Sequence, residues 1–195
     1  MQINLVTSNL NKVREFKAIL DGKVKINHIQ REYKELRSDT SEEIAKESAK
    51  RLAEELKIPV VVEDSGLFIK ALSDFPGTCS SYIHKRIGLK GILKLMEGIE
   101  DRTCYYRSAV AYCEPGKSPI SFFGEEEGSI AKEIKGNYGF GHDPIFIPES
   151  TRTASGTNSV GSEKTYGEMK NCEDLKSFRK IAVEKLIDYL LKIKN

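Results

Sequence analysis

Pro59 followed by Val60-Val61-Val62 constrains this chain more than any other stretch, because a continuous apolar run leaves no polar face for water. A strand of this kind belongs in the middle of a sheet covered on both sides. The residues before it supply the cover. An apolar strand pattern from Ile3 to Val6 gives way to Val13, Phe16, Lys17, Ile19 and Leu20 at helical spacing. Asp21-Gly22 then marks a stop, and a short strand pattern runs from Val24 to Ile29. Thr40 and Glu43 form a T-x-x-E capping-box pattern ahead of a helix whose buried stripe is Ile44, Ala45, Ala49, Leu52, Ala53 and Leu56. Strand and helix alternate, so the fold class is α/β.

The second half changes character. Loop and then helix run from Phe75 to Met96. Two β-prone runs, Tyr105 to Cys113 and Ile120 to Phe123, flank Glu114-Pro115-Gly116-Lys117, a hairpin signal. The last 20 residues place Ile181, Ala182, Leu186, Tyr189, Leu190 and Ile193 at helical spacing, giving a closing amphipathic helix. Residues 150–163 are hydroxyl-rich with almost no apolar anchor, and the expectation is a mobile loop. The chain shows no internal repeat.

With 195 residues, 39% hydrophobic and 31% charged, the chain can bury one sizeable core, and a single domain is expected. Lys and Arg number 31 against 29 Asp and Glu, so no bulk field favours nucleic acid or acidic lipid, and an anion site has to be local. Neither a nucleic-acid partner nor a membrane partner is expected. The start lacks a basic segment followed by a long apolar one, and no stretch approaches the roughly 18 apolar residues of a membrane span. The expected location is cytoplasmic. Cys79, Cys104, Cys113 and Cys172 have no CxxC spacing and read as reduced structural thiols.

Three segments carry polar chemistry. Thr7-Ser8-Asn9-Leu10-Asn11-Lys12 joins the first strand to the first helix and offers hydroxyls, amides, backbone N–H groups and a cation. Lys12 stands at the positive end of a helix dipole, unfavourable unless an anion is near, so the segment reads as a phosphate grip. Ser8 and Asn9 also fit plain helix caps. Glu63-Asp64-Ser65-Gly66 sits where the valine strand is expected to end, which is where ligands gather in α/β sheets. Adjacent strand residues face opposite sides, so Glu63 and Asp64 do not share one metal if the strand continues through both. Magnesium takes one or two protein carboxylates, and Glu35 is the candidate second ligand. The alternative is an Asx-type turn. The third segment, Gly136 to Pro144, combines glycines, aromatics and Asp143, which suits either a base-stacking pocket or a turn packed on the core. A lone His142 suits packing better than metal.

Taken together, these segments resemble the inosine triphosphate pyrophosphatase family. The markers are Thr7 to Lys12, Glu63-Asp64-Ser65-Gly66-Leu67, Phe75-Pro76-Gly77, Gly139-Phe140-Gly141-His142-Asp143-Pro144, Lys164-Thr165-Tyr166-Gly167-Glu168-Met169 and Ser177-Phe178-Arg179, in that order along nearly the whole chain. The related Maf-type pyrophosphatases usually open with an S-x-R-R-type segment, absent here.

The resemblance implies an elongated mixed sheet in two lobes with a nucleotide cleft, a magnesium requirement, a homodimer, and hydrolysis of ITP, dITP and XTP to monophosphate and pyrophosphate. It implies that Thr7, Ser8, Asn9, Leu10, Asn11 and Lys12 hold the triphosphate and that Glu35 and Asp64 bind magnesium. Asp64 would activate water and Ser65 would touch substrate. Phe140, Gly141, His142 and Asp143 would line the base pocket, with Phe178 beside Arg179, which would reach the purine O6. Two departures stand out. Phe178 replaces the family's usual histidine, and Glu173 stands where a lysine is common. Lys176, Lys170 and Lys164 are candidates to supply that charge. A catalytically silent nucleotide binder is the competing class, favoured by these departures and opposed by the presence of Glu35, Asp64 and Lys12.

Overall fold

The computed structural model describes residues 1–151 and 164–193. From residue 152 onward, the 150–163 stretch expected to be a mobile loop lies outside the described residues. The chain divides into two compact units. The first comprises Met1–Ser65, Arg107–Glu125 and Lys176–Asn195, and the second comprises Gly66–Tyr106 and Glu126–Leu175.

The elements are β1 (Gln2–Val6), α1 (Leu10–Leu20), β2 (Lys25–Ile29), α2 (Ser41–Leu56), β3 (Val60–Ile69), β4 (Phe75–Gly77), α3 (Ser80–Leu95), β5 (Thr103–Cys113), β6 (Ile120–Ile130), β7 (Phe146–Pro148), α4 (Cys172–Leu175) and α5 (Ser177–Lys192). The sheet order is β2-β1-β3-β5-β6-β7, with β4 paired to β3. β1 is parallel to both β2 and β3, whereas β4 and β7 run antiparallel to β3 and β6. This is the mixed α/β architecture the sequence implies.

In the first unit the valine run behaves as its composition demands. Val61 joins a cluster with Val13 and Phe16 of α1 and Ala182, Val183 and Leu186 of α5. Val60 and Val62 join a second cluster with Ala45, Ala49, Leu52 and Ala53 of α2. Alternation along β3 thus assigns odd positions to the α1 and α5 side and even positions to the α2 side. All three valines are fully buried. The hairpin turn forms as read, with Lys117 N–H donating to Glu114 O at 3.0 Å.

Three local readings change. The strand does not end at Val62 but runs on through Glu63, Asp64, Ser65 and Gly66 to Ile69, because β4 pairs with its far end. Thr40 is the N-cap of α2 by position but makes no side-chain cap bond. The hydroxyl of Ser38 takes over, accepting Thr40 N–H at 3.1 Å and donating to Glu43 at 2.5 Å. In α5, Val183 is buried while Ile181 is exposed, so the stripe is rotated slightly from the one the sequence pattern gave.

The second unit is built on aromatic contacts. Phe68 stacks on Tyr105 at 4.9 Å, and Phe146 lies 4.5 Å from Tyr106 and 5.6 Å from Tyr166. Its α3 buries only Ser80 and Ile92 and breaks at Gly88, where φ is 62°. Among the described residues no helix is long and apolar enough to cross a membrane.

Gly66 is where β3 meets β4 most closely, since a Cβ there would lie 2.2 Å from Gly77 O. Gly66→Ala is therefore expected to lower stability by about 1–3 kcal/mol through displacement of β4. A urea unfolding curve matching the parent would remove this close approach as a constraint.

Candidate active site

The segment between β1 and α1 is organised by its own side chains. Thr7, 7% exposed, accepts Asn9 N–H on Oγ1 at 3.1 Å. Asn9 is the N-cap of α1 and accepts Asn11 N–H on Oδ1 at 3.0 Å. The cap reading of Asn9 is therefore correct locally. Ser8 and Leu10 are exposed, and Asn11 and Lys12 are partly so. The first turn of α1 holds no acidic residue, and Lys12 stands in it. Its charge is answered from β3: Nζ is 2.8 Å from both the backbone O and Oε2 of Glu63.

Glu63 is the residue that the sequence reading named beside Asp64 but gave no role. Odd positions of β3 face α1 and α5, and there Oε1 of Glu63 accepts Arg179 Nη2 at 3.0 Å, Arg179 Nε at 3.1 Å and the Ser108 hydroxyl at 2.6 Å. Ser65, two positions on, accepts Arg179 Nη2 at 2.8 Å. Arg179 also pairs through Nη1 with Glu15, which in turn accepts Lys176 Nζ at 2.6 Å. The side chains of Glu15, Glu63, Lys176 and Arg179 are all at most 2% exposed. Burial pulls the Arg179 guanidinium down to about 9, still above neutrality, so it is charged.

The guanidinium expected to reach a purine O6 is thus engaged by Glu15, Glu63 and Ser65. Phe178, 2% exposed, is a core residue, and the guanidinium carbon of Arg179 lies 4.9 Å from its ring centre. Of the three lysines considered for the missing charge, Lys176 is buried against Glu15, whereas Lys164 and Lys170 are exposed.

Asp64, at an even position, faces the α2 side. It is 6% exposed, and its Oδ2 has no hydrogen-bond partner among the described residues. Desolvation raises its carboxyl to about 6. Lys12 and the Ser41 hydroxyl at the start of α2 oppose the rise, while Glu63 and Glu35 add to it. Tyr33 shares this neighbourhood: burial pushes its hydroxyl well above the usual tyrosine range, and Glu35, Glu63 and Asp64 push it further. Glu35 is exposed. The described residues contain no group of three or more His, Cys, Asp or Glu able to hold a metal. The signal for Asp64 was its place just after the valine run, where ligands gather in α/β sheets. Glu15 is fully buried although it points away from Val13, at the edge of the apolar stripe, so the apolar spacing did not signal it.

The Gly139–Asp143 loop belongs to the second unit. Asp143, 1% exposed, accepts Phe140 N–H on Oδ2 at 2.6 Å and the Tyr106 hydroxyl on Oδ1 at 3.3 Å. Gly139, at φ 71°, is needed because a Cβ there would meet Asp143 Oδ2 at 2.1 Å. The 135–138 stretch is tied to the Thr165 turn by Tyr138 N–H to Gly167 O at 2.9 Å and the Thr165 hydroxyl to Lys135 O at 2.8 Å. Thr165 and Glu168 form a capping box. Phe140 and Gly141 are partly exposed and His142 is buried.

The model of the Ham1 family matches residues 3–189. A protein of Methanopyrus kandleri named dITP/XTP pyrophosphatase is 44% identical over 191 residues, covering 97% of this chain and 96% of its own. One of the same name from Methanosarcina acetivorans is 39% identical over 190 residues, with 96% of each chain covered. The solved HAM1 protein of Coxiella burnetii superposes with a TM-score of 0.79 at 26% identity, covering 97% of this chain and 99% of its own. The Ham1 protein of Staphylococcus aureus gives 0.77 over 97% and 98%, at 24% identity. With a match across nearly its whole length, this chain belongs to the Ham1 family.

Proposed function

We propose that this protein is a nucleoside triphosphate pyrophosphatase that hydrolyses dITP, ITP and XTP to the monophosphate and pyrophosphate. In this reading it clears non-standard purines from the cytoplasmic nucleotide pool. Relatives at about 40% identity named for that activity support the reading. The observation that carries it is Asp64, a buried carboxylate with an unpartnered oxygen, one strand residue from the Glu63 that holds Lys12.

The triphosphate is assigned to the first turn of α1, where N–H groups other than that of Asn11, which Asn9 caps, lack intrahelical acceptors and where Lys12, held by Glu63, adds a cation. Asp64, with Glu35, would hold magnesium, which neutralises phosphate charge and acidifies a water when bound. The unpartnered Oδ2 fits that role. Water attacks the α-phosphorus, the bond from that phosphorus to the α,β-bridging oxygen breaks, and pyrophosphate leaves with the bond electrons. Asp64 takes the proton of the attacking water. In the metal-free protein its carboxyl stands at about 6, ionised at neutral pH yet more basic than an ordinary aspartate, and a bound cation would lower it while also acidifying the water. Arg179 is assigned to holding Glu63 and Ser65 in position, and residues 140–143 to the base. The two units are read as lobes of one ITPase-like domain, and the working form as a homodimer.

Inosine and xanthosine present O6 as an acceptor and N1–H as a donor, whereas adenine presents the reverse at both positions. Sites built on such pairing discriminate by roughly 10⁴-fold. Pyrophosphate release with magnesium is expected to be strongly faster for ITP, dITP and XTP than for GTP or ATP, and Asp64→Asn is expected to abolish it. Equal turnover of all five nucleotides, or near-normal release by the variant, would refute the assignment. Tight ITP binding without release in the parent protein would favour the silent binder.

The same residue makes a second, independent prediction. The Asp64 carboxyl binds its proton more tightly in the folded chain than in the unfolded one, where the ordinary value is 3.8. The stability contributed by the neutral form is complete below that value and is lost as pH rises through about 6. In metal-free protein near neutral pH, Asp64→Asn is therefore expected to be about 1–3 kcal/mol more stable than the parent, with the difference closing below about pH 4. Urea unfolding in chelator across this range tests it. A difference that does not vary with pH counts against the desolvated carboxylate.

A further inference from the structure

The loop assigned to the base has one feature the family motif does not account for. Asp143, the residue expected to meet a purine N–H, spends Oδ2 on Phe140 N–H and Oδ1 on the Tyr106 hydroxyl and is 1% exposed. It braces the loop. Next to it stands His142, 3% exposed, whose Nε2 has no hydrogen-bond partner among the described residues. A buried ring nitrogen left in this state costs free energy comparable to a lost hydrogen bond, and such a group normally meets a partner.

A second histidine backs it. His84, partly buried on α3, lies with its ring centre 5.1 Å from that of His142 and its plane turned by 76°, an edge-to-face arrangement. Its Nδ1 is likewise without a partner. The two rings come from different elements of the second unit, α3 and the loop 139–143, so their contact fixes the plane of His142 from outside the loop. Burial, with His84 adding to it, holds His142 far below its ordinary value, at about 3. Throughout the physiological range the ring is neutral, with one nitrogen a donor and the other an acceptor.

We infer that His142, oriented by His84, distinguishes 6-oxopurines from 6-aminopurines in this protein, its Nε2–H donating to the oxygen at C6. This rests on the reading of residues 140–143 as the base pocket. A carbonyl at C6 accepts that hydrogen. An amino group at the same position brings a second donor against it, and is met only if the proton moves to Nδ1 so that Nε2 accepts. His142 is then a base-reading residue, and His84 a positioning residue that acts through ring packing.

The test is binding of IMP and AMP by calorimetry, which needs no turnover and so stands apart from the pyrophosphatase reading. The parent protein is expected to prefer IMP. His142→Phe keeps the ring but removes both nitrogens and is expected to lower the IMP-to-AMP affinity ratio by about tenfold or more, whereas His142→Gln, which keeps a donor, retains most of it. His142→Met gives the same readout if the phenylalanine variant does not fold. His84→Ala is expected to lower the ratio, and His84→Phe, which restores a packing ring, to recover it. Variants that weaken IMP and AMP alike, leaving the ratio unchanged, would overturn the inference, as would a parent protein that binds both equally. A parent that prefers IMP but releases no pyrophosphate from ITP would overturn the proposed activity and leave the base-reading role standing.

Discussion

The first unit depends on a chain of alternating charges that runs from Lys12 to Glu63, Arg179, Glu15 and Lys176. Each ion costs several kcal/mol to take out of water, and only a neighbour of opposite sign with good hydrogen-bond geometry offsets that cost. Because the signs alternate, no interior member can be removed without stranding charges on either side. Such a chain is weak evidence for net stability, since apolar residues of similar size often serve as well. Its effect is on geometry: it fixes α1, β3 and α5 to one another through atoms rather than through adaptable apolar surfaces. Ser65 is held at 2.8 Å by the same guanidinium that holds Glu63.

Strand parity then sorts the chemistry. Val61, Glu63 and Ser65 share one face of β3, where α1 and α5 supply Lys12 and Arg179. Val60, Val62 and Asp64 share the other, where α2 supplies mainly alanine and leucine. Adjacent carboxylates therefore meet opposite fates. Glu63 is paired with Lys12 through Oε2 and with Arg179 and Ser108 through Oε1, while Asp64 is desolvated with one oxygen unpartnered. A single carboxylate on that strand could not both anchor Lys12 and stay available to a cation.

The sequence made the frame of this arrangement legible because the frame is apolar. Three consecutive valines, the alanine stripe of α2 and the Val13 and Phe16 spacing of α1 announce which faces are buried. What it hid was the polar part of the core. Arg179 precedes Ala182, Val183 and Leu186 at helical spacing, on a buried stripe that a search for apolar residues alone passes over, and Glu15 is buried off the Val13–Phe16 stripe, where no apolar spacing points to it. Their burial depends on partners about 160 residues away in sequence, and no local pattern encodes those. The capping of α2 was misplaced for a related reason: the T-x-x-E pattern was present, but the Ser38 hydroxyl was also within reach of Glu43.

The departures at positions 173 and 178 acquire a physical meaning in this frame. A histidine at 178 would put a titratable ring beside a buried guanidinium, where its protonation would add positive charge to a crowded site. Phe178 instead offers a neutral ring face, with the guanidinium carbon 4.9 Å from its centre, and cannot gain charge as pH falls. Lys176 lies one residue before the Ser177-Phe178-Arg179 motif, and its ammonium reaches Glu15 from there. The positive charge lacking at 173 is thus present in the first unit, buried against the carboxylate that also pairs with Arg179. Neither change touches the contacts of Lys12 or the free oxygen of Asp64, the groups to which the chemical step is assigned. Phe178 therefore alters how Arg179 is supported, which argues against reading that substitution as the loss of an active site.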